Sequence, residues 1–288
     1  MKLGKENNVL IILISIFFAY FIYWNFSVNL ENGETKIINK AQKTVEQDSA
    51  STVYKEQYKS SKASSSKTIS LYPKEVFLTF DDGPSINNTL NIIDILNRNS
   101  VKATFFVIGE KAQTYPKIIK KMSDSGMCIA PHTYNHNYGE IYKNTVAYLK
   151  DMEKCNNVIK TLTNKSNFSY VRMPGGSDNL VSSAETLKEI KMSLKKKKIY
   201  YVDWNISSED AIGPNIEAFK IKQNVMSQSM GKSMAVVLMH DSYYKKTTVD
   251  SLQEVISYFK KQGYVFRTFN DLTEAEKEKM IKKEVLNR

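Results

Sequence analysis

From residue 71 onward, short apolar runs alternate with longer stretches in which apolar residues recur every three or four positions. Glu75–Phe80 (EVFLTF) is rich in β-branched and aromatic residues and predicts a strand, whereas Thr89–Asn99 predicts an amphipathic helix. Further strands are predicted at Ala103–Ile108, Met127–Ala130, Tyr170–Arg172, Ile199–Asn205, Ala235–Met239 and Tyr264–Arg267. Further helices are predicted around Pro116–Ser125, Thr145–Thr163, Ala184–Lys196, Ile216–Ser229 and Val249–Gln262. Strands that alternate with helices form parallel sheets, so we predict an α/β fold of about seven β/α units, with the sheet open or closed into a barrel.

The start of the chain has a different pattern. Val9–Trp24 contains sixteen residues without a charge, and Lys2 and Lys5 precede it. About twenty apolar residues cross a bilayer as a helix, and a positive flank stays in the cytoplasm. We therefore predict that residues 1–26 form a single-pass membrane anchor, with the rest of the chain extracytoplasmic. The alternatives are a cleaved signal peptide, for which only weak cleavage candidates occur near Ser27, and a buried core helix.

Composition divides the remaining chain into three parts. Residues 27–70 are rich in Glu, Lys, Ser, Gln and Thr, which predicts a flexible linker because such residues bury too little apolar surface to order the chain. Residues 71–271 carry the alternating pattern and are predicted to form one domain. Residues 272–288 contain five basic and four acidic side chains, and we expect them to form a solvated, charged helical tail.

Charge and cysteine content limit the classes of function. Of 288 residues, 42% are hydrophobic and 25% are charged, which excludes a wholly disordered chain and a multi-span membrane protein. Two cysteines are too few for a disulfide framework or a CxxC zinc ribbon. The net charge of +11 favours anionic surroundings. Since the chain is predicted to be exported, we expect membrane and cell-wall polymers as partners, and no nucleic acid.

Polar side chains follow five of the predicted strands, at the point where each strand ends. In chain order they are Asp81 and Asp82, His132, Arg172, Asn205 and His240. The carboxyl ends of parallel strands meet on one rim, where sites are built. All three histidines of the chain, including His136, belong to this set or lie beside it. The pattern therefore predicts one functional cleft.

Asp82, His132 and His136 form a candidate metal site. Zinc binds imidazole nitrogen and carboxylate oxygen, and its catalytic sites use three protein ligands. The four-residue spacing of the histidines places both rings on one side if the segment is helical. In an extended chain Asp81 and Asp82 point in different directions, so one can bind metal while the other acts as a base. Taken alone, FDDGP also matches an ordinary turn after a strand.

Five segments of the chain resemble, in order, the motifs of the polysaccharide (chitin and peptidoglycan) deacetylases. They are Thr79–Pro84 (TFDDGP), His132–His136 (HTYNH), Arg172–Gly176 (RMPGG), Trp204–Asp210 and Leu238–Asp241 (LMHD). The resemblance extends from about Pro73 to Phe269. It implies a distorted (β/α) barrel of about seven strands. It also implies an N-deacetylase that depends on zinc, with cobalt as the alternative metal.

The resemblance also implies a role for individual residues. Asp81 would be the catalytic base and His240 the general acid, while Asp82, His132 and His136 would hold the metal. Arg172 would pair with Asp81, Asp210 with His240, and Leu238 would line the acetyl pocket. The backbone N–H of Gly175 would help to bind the oxyanion.

Two positions depart from the family pattern. Gly175 stands where a tyrosine usually follows the proline, so one side-chain wall of the groove is missing. Ala211 stands where a tryptophan usually follows the aspartate, and Trp204 is expected to replace that ring in part.

The sequence thus favours an amide hydrolase that removes N-acetyl groups from cell-wall or extracellular polysaccharide, with peptidoglycan N-acetylglucosamine as the preferred substrate. Two alternatives stay open. One is a glycan-binding module of the same fold that does not turn its ligand over. The other is a metal-dependent phosphoesterase, although such enzymes normally require a second metal and more ligands than this rim provides.

Overall fold

The computed structural model describes residues 73–164, 168–213 and 215–288. The predicted membrane anchor (residues 1–26) and linker (residues 27–70) lie outside the described residues. Within the described ranges, no helix combines the length and the apolar character needed to cross a membrane.

Strands and helices alternate along the described part of the chain. The strands are β1 (Lys74–Asp81), β2 (Thr104–Val107), β3 (Cys128–Pro131), β4 (Tyr170–Val171), β5 (Tyr200–Tyr201), β6 (Ile206–Ser207), β7 (Met234–His240) and β8 (Tyr264–Phe266). The helices are α1 (Asn88–Arg98), α2 (Gly109–Thr114), α3 (Pro116–Asp124), α4 (Tyr138–Ile141), α5 (Thr145–Thr163), α6 (Ala184–Lys196), α7 (Ala218–Ser229), α8 (Lys246–Lys261) and α9 (Glu274–Lys282). A 3₁₀ turn spans Phe269–Asp271.

The strands form two parallel sheets. In the larger sheet the order is β3-β2-β1-β7-β6, and β8 pairs with the first residues of β1. The smaller sheet contains β4 and β5. A backbone hydrogen bond from Arg172 N–H to the carbonyl of Pro131 (3.1 Å) joins β4 to β3. Seven strands therefore follow one another from β6 through β1 to β5, and the α/β class with a parallel sheet is confirmed.

The main strands are buried on both faces, as parallel strands covered by helices usually are. On β1, Val76, Leu78 and Phe80 belong to the apolar cluster shared with the surrounding helices. Phe77 on the other face belongs to a second cluster with residues of β2 and β7. Towards the carboxyl end this second face becomes polar, with buried Thr79 followed by buried Asp81 at the rim.

One predicted strand, Ile199–Asn205, is wrong in its extent. The segment contains β5, whereas β6 begins only at Ile206 and pairs with β7 in the other sheet. Asn205 lies between them, where its side-chain N–H donates to the carbonyl of Met234 (3.0 Å) and its Oδ1 accepts from the N–H of Val236 (2.9 Å). Asn205 therefore ties the chain to β7 and does not contribute a side chain to the rim.

The expectation of a solvated C-terminal tail is also wrong. Helix α9 forms, but Met280, Val285 and Leu286 are fully buried in the cluster that contains Phe77. Leu286 forms an antiparallel bridge with Val202 beside β5. The apolar side chains of this segment thus pack into the domain, and the charged residues around them remain at the surface.

Candidate active site

The strand ends bring the predicted site residues together. Asp81 ends β1 and is paired in register with His240 at the end of β7. The N–H of His132 donates to the carbonyl of Val107 (2.8 Å), which extends the pairing of β3 with β2 by one residue. Arg172 follows β4 directly. The prediction of a single cleft at the carboxyl ends of the strands agrees with this geometry.

Asp82, His132 and His136 converge on one point. The Oδ1 atom of Asp82 lies 3.5 Å from Nε2 of His132 and 3.3 Å from Nε2 of His136. One ligand atom from each of the three residues can be chosen so that all lie within 4.8 Å of one another. Two imidazole nitrogens and one carboxylate oxygen are a donor set that suits zinc and leaves coordination positions open.

The backbone of this metal-binding cluster differs in two places from the helical turn and the extended chain that the sequence predicted. His132–His136 is a loop and not a helical turn, and Thr133 and His136 have positive φ angles of 66° and 55°. Asp82 also has a positive φ, at 72°. Because the chain is not extended at Asp82, both neighbouring carboxylates approach His132, with Oδ2 of Asp81 at 3.8 Å from its Nε2. Left-handed backbone at residues other than glycine is uncommon and clusters at functional sites.

Hydrogen bonding fixes the ring of His132. Its Nδ1–H donates to the backbone carbonyl of Arg172 (2.8 Å). A carbonyl only accepts hydrogen bonds, so the proton resides on Nδ1 and Nε2 keeps its lone pair for a metal. For His136, burial and the neighbouring His132 lower the pKa to about 4, so this ring is neutral at pH 7.

The two carboxylates near His132 have different surroundings. Burial, the largest influence, raises the pKa of Asp82, but the charges of the histidines and of Lys111 outweigh it and hold this pKa below its usual value. Asp82 is thus ionised at neutral pH, as a metal ligand must be. Asp81 is buried and pairs through Oδ1 with Nη1 of Arg172 at 2.9 Å.

Arg172 is a fully buried side chain whose donors are largely satisfied. Nη1 donates to the hydroxyl of Thr79 (2.7 Å) as well as to Asp81, while Nε and Nη2 donate to the carbonyls of Val202 (3.1 Å) and Asp203 (3.2 Å). The guanidinium carbon lies 4.2 Å from the ring centre of Phe106. This network excludes a loose surface ion pair and holds the Asp81 carboxylate in one orientation.

His240 pairs with Asp210 and not with its neighbour Asp241. Its Nδ1–H donates to Oδ1 of Asp210 (2.7 Å), and its backbone N–H donates to Oδ2 (2.8 Å). The hydroxyl of Thr248 also donates to Oδ2 (2.8 Å). Burial, the largest influence, lowers the pKa of His240, but the hydrogen bond and charge of Asp210 outweigh it and raise this pKa to about 9. His240 is therefore a protonated imidazolium at neutral pH.

The remaining predicted site residues line the rim in different ways. Gly175 has a φ of 76°, and a Cβ atom there would lie 3.3 Å from the Tyr138 ring. Tyr138 thus occupies space beside the position that lacks a side chain. Trp204 packs towards the guanidinium of Arg172, with 5.6 Å from the guanidinium carbon to the ring centre. Leu238, two residues before His240 on β7, lies on the same strand face and is buried.

Sequence reasoning missed several residues that support the site, because their types are common and their contacts are distant in sequence. Thr79 and Thr248 bind Arg172 and Asp210 respectively. Asp241 is buried against Gly83, where a Cβ atom would overlap its carboxylate. Burial raises the pKa of Asp241 to about 7, although the hydroxyl of Thr89 donates a hydrogen bond to it.

The chain belongs to the polysaccharide deacetylase family. The model of that family, described as polysaccharide deacetylase, matches residues 69–194. A peptidoglycan N-acetylglucosamine deacetylase of Bacillus cereus is 31% identical over 212 residues, which are 71% of this chain and 70% of that protein. A peptidoglycan N-acetylmuramic acid deacetylase of Bacillus subtilis is 29% identical over 204 residues, which are 69% of this chain and 71% of that protein. The chain is accordingly a hydrolase that acts on carbon–nitrogen (amide) bonds.

Solved structures agree with this assignment. The catalytic domain of a peptidoglycan N-acetylglucosamine deacetylase from Eubacterium rectale has a TM-score of 0.64 and 32% sequence identity. The match covers 74% of this chain and 94% of that domain. An esterase structure from Streptococcus mutans has a TM-score of 0.62 and 29% identity, covering 68% of this chain and 86% of that one.

Proposed function

We propose that this chain is a membrane-tethered, extracytoplasmic, zinc-dependent enzyme that removes N-acetyl groups from the N-acetylglucosamine residues of peptidoglycan. The observation that carries the proposal is the placement of a three-residue metal-binding cluster beside a buried carboxylate and a protonated histidine. The cluster is Asp82, His132 and His136, the carboxylate is Asp81 and the histidine is His240. Hydrolysis of an amide needs groups of these kinds, because water must lose a proton and the leaving amine must gain one.

The metal-binding cluster fits a zinc ion by its chemistry. The hydrogen bond from Nδ1–H of His132 to the backbone carbonyl of Arg172 leaves Nε2 as the nitrogen that faces the metal, and Asp82 is ionised. A zinc ion held by the three side chains would supply Lewis acidity, which polarises the acetyl carbonyl and makes water more acidic. Cobalt accepts the same kinds of ligand and is expected to substitute.

Two residues of the chain move protons in the proposed reaction. Asp81 takes a proton from the attacking water, and the ion pair between its Oδ1 and Arg172 keeps Oδ2 on the side of His132. His240 donates a proton to the nitrogen of the departing amine, which it is able to do because Asp210 keeps it charged. Proton transfers of this kind each contribute roughly 10²–10⁴-fold to the rate.

Backbone and apolar groups bind the acetyl group in this proposal. Among the described residues, no acceptor engages the N–H of Gly175, so this donor is free to bind the oxygen on which charge develops. The side chain of Leu238, on the strand face that carries His240, lies next to the acetyl methyl group.

The choice of peptidoglycan is supported by the relatives and by charge. The B. cereus relative and the E. rectale structure are both described as acting on peptidoglycan N-acetylglucosamine. The net charge of the chain is +11, which favours the anionic polymers of a cell wall. The predicted anchor would keep the domain next to that wall.

The proposal is tested by measuring acetate released from purified wall fragments by the full-length protein. Chelation should abolish acetate release, and added zinc or cobalt should restore it. Release that is insensitive to chelators would contradict the metal assignment. Release of phosphate from phosphate esters without release of acetate would favour the phosphoesterase, and binding of glycan without either product would favour the glycan-binding module.

A matched pair of variants separates the ligand from the acid. His132→Ala should lower the zinc content, measured by atomic emission, together with the rate. His240→Ala should lower the rate while the zinc content stays complete, because this imidazole bonds to Asp210 and is not one of the three ligands. Equal loss of zinc in both variants would show that His240 is a ligand.

A further inference from the structure

The turn that presents Gly175 lies just after β4. The N–H of Gly176 donates to the carbonyl of Met173 (2.9 Å), which closes a four-residue turn with Pro174 and Gly175 at its centre. Proline followed by glycine with a positive φ is typical of a type II turn, and the φ of Gly175 is 76°. The hydrogen bond of such a turn does not use the N–H of its third residue. The turn therefore leaves the N–H of Gly175 available to a ligand.

The direction of this N–H is not fixed by Gly175 itself. Glycine adopts positive and negative φ angles about equally readily, so the orientation of the Gly175 peptide depends on what holds the residues around it. Pro174, Gly176 and Ser177 are all buried, whereas Gly175 is exposed. Contacts to these three buried neighbours must therefore set the direction in which the N–H of Gly175 points.

Two neutral side chains bind carbonyls of the turn. The hydroxyl of Tyr142 donates to the carbonyl of Pro174 (2.7 Å), and Nδ2 of Asn179 donates to the carbonyl of Gly176 (2.9 Å). Hydrogen bonds between neutral groups each contribute about 0.5–1.5 kcal/mol to stability. These two bonds hold the turn on either side of Gly175, but neither of them binds the segment that follows it.

Asp203 holds that following segment with two hydrogen bonds to one residue. Its Oδ1 accepts from the backbone N–H of Ser177 (2.9 Å), and its Oδ2 accepts from the hydroxyl of Ser177 (2.6 Å). Hydrogen bonds to a carboxylate are about twice as strong as those between neutral groups. Asp203 is only 2% exposed, so its carboxylate is out of reach of a bound substrate.

The backbone of Asp203 is fixed independently of its side chain. Its N–H donates to the carbonyl of Val285 (3.0 Å), and its carbonyl accepts from Nη2 of Arg172 (3.2 Å). Arg172 in turn orients Asp81, so Asp203 connects the base with the turn that carries Gly175. The connection to Arg172 uses the backbone of Asp203, whereas the connection to the turn uses the side chain. A substitution of Asp203 therefore removes the second connection and keeps the first.

We propose that Asp203 is a positioning residue that directs the N–H of Gly175 towards the oxygen on which negative charge develops during amide hydrolysis. The inference rests on the proposed function, in which this N–H binds that oxygen. Asp203 acts through Ser177 and does not touch the substrate. A donor that is misplaced by about 1 Å stabilises the charged transition state less, while the uncharged carbonyl of the bound substrate loses little. Loss of the Asp203 side chain should therefore lower kcat and leave KM unchanged.

The test measures acetate release from a tetramer of N-acetylglucosamine by the zinc-loaded, full-length protein and its variants. Asp203→Ala removes both acceptors, so kcat and kcat/KM should fall together by roughly 10–100-fold, less than the 10²–10³-fold that loss of an oxyanion donor costs. Asp203→Asn keeps an oxygen for the N–H of Ser177 and places an amide beside its hydroxyl, so it should recover most of the rate. Asp178→Asn is the matched control, because Asp178 follows Ser177 directly and its side chain is 63% exposed. Its kinetics should match those of the wild type.

Two further measurements distinguish positioning from a general loss of structure. Zinc content, measured by atomic emission, should stay complete in every variant. Amide hydrogen exchange of a peptide that contains residues 175–177 should be faster in Asp203→Ala than in the wild type and unchanged in Asp178→Asn. Ser177→Ala removes only the bond from the hydroxyl to Oδ2 of Asp203, so it tests the same contact if Asp203→Ala does not fold. It should lower kcat several-fold at constant KM.

Three kinetic results would overturn the inference. They are a raised KM at constant kcat in Asp203→Ala, a loss of zinc in parallel with the rate, and wild-type kinetics in both Asp203→Ala and Ser177→Ala. If the wild type releases no acetate from any substrate, the proposed function fails, but hydrogen exchange still tests whether Asp203 holds the turn. Faster exchange of residues 175–177 in Asp203→Ala would then support that contact, and exchange equal to that of the wild type would contradict it.

Discussion

The group that accepts the hydrogen bond from Nδ1–H distinguishes the role of His132 from that of His240 in this site. His132 donates from Nδ1 to a neutral backbone carbonyl, which keeps Nε2 as a lone-pair donor for a metal. His240 donates from Nδ1 to the buried carboxylate of Asp210, which favours the charged ring. Both residues follow strands on one rim, so their hydrogen-bond partners distinguish them better than their positions in the sequence.

This difference predicts the alkaline limb of the pH–rate profile. His240 acts as an acid only while it is protonated, so activity should fall as the pH rises through its pKa of about 9. In Asp210→Asn the carboxylate that raises this pKa is lost, while burial, which lowers it, remains. The alkaline limb should therefore move to lower pH by at least one unit, as read from kcat/KM against pH.

A surface variant provides the control for that shift. Asp250 pairs with Lys246 on α8 and is exposed to solvent. Asp250→Asn removes the same charge at a position where water and salt screen it, so its profile should match that of the wild type. If the alkaline limb moved equally in Asp210→Asn and Asp250→Asn, the net charge of the protein, and not the pair of Asp210 with His240, would set the pH–rate profile.

At the residue scale, the sequence predicted which side chains meet but not how the backbone brings them together. Asp82, His132 and His136 were identified from residue type and position after strands, and they converge. The left-handed backbone at Asp82 and His136 could not be predicted, because neither residue type requires that conformation. The bonds from Arg172 to Val202 and Asp203 join residues about thirty positions apart, and no local pattern encodes them.

At the scale of elements, helices with clear start signals were predicted accurately. The bounds of α5 and α6 match the prediction at both ends. Each helix begins after a residue whose side-chain oxygen accepts a backbone N–H, Asn144 for α5 and Ser183 for α6. The two-residue strands β5 and β6 are too short to have a period of their own, which explains why the predicted strand Ile199–Asn205 extends past β5 and stops short of β6.

Helix α9 packs against the domain although its sequence contains few apolar residues. It is predominantly charged, yet Met280 is fully buried while its neighbour Ile281 is 37% exposed. Met280→Ala should destabilise the protein by about 2–5 kcal/mol, because truncation leaves a cavity in the cluster beneath the strands. Thermal unfolding of the full-length protein should show a midpoint lower by roughly 5–15 °C.

Ile281→Ala is the matched control for this prediction. It removes an apolar side chain of similar size from the next position of the same helix, but from a partly exposed site, so the midpoint should change by only a few degrees. A solvated tail would make both substitutions equally harmless. Similar small shifts in both variants would therefore contradict the docked position of α9.

At the scale of the whole molecule, two features of the sequence favour a membrane location. The first is the apolar run Val9–Trp24, which we propose to span the bilayer as an anchor. The second is the basic character of residues 71–271, which hold seven of the eleven excess positive charges of the chain. Basic surfaces also bind anionic lipid, so recovery in the membrane fraction would not by itself identify an anchor.

Salt and a single substitution separate these two modes of attachment. Electrostatic binding weakens in 1 M salt, where charges are screened beyond about 3 Å, whereas an inserted apolar helix stays in the bilayer. We therefore expect the full-length chain to remain in salt-washed membranes, with residues 71–288 digested by protease added to intact, wall-stripped cells. Ile16→Arg places a charge near the middle of the run at a cost of about 2.5–3.5 kcal/mol, and should reduce the fraction that resists the wash. Release of the wild type by salt would leave only electrostatic attachment, and recovery of a soluble, N-terminally shortened chain would identify a cleaved signal peptide.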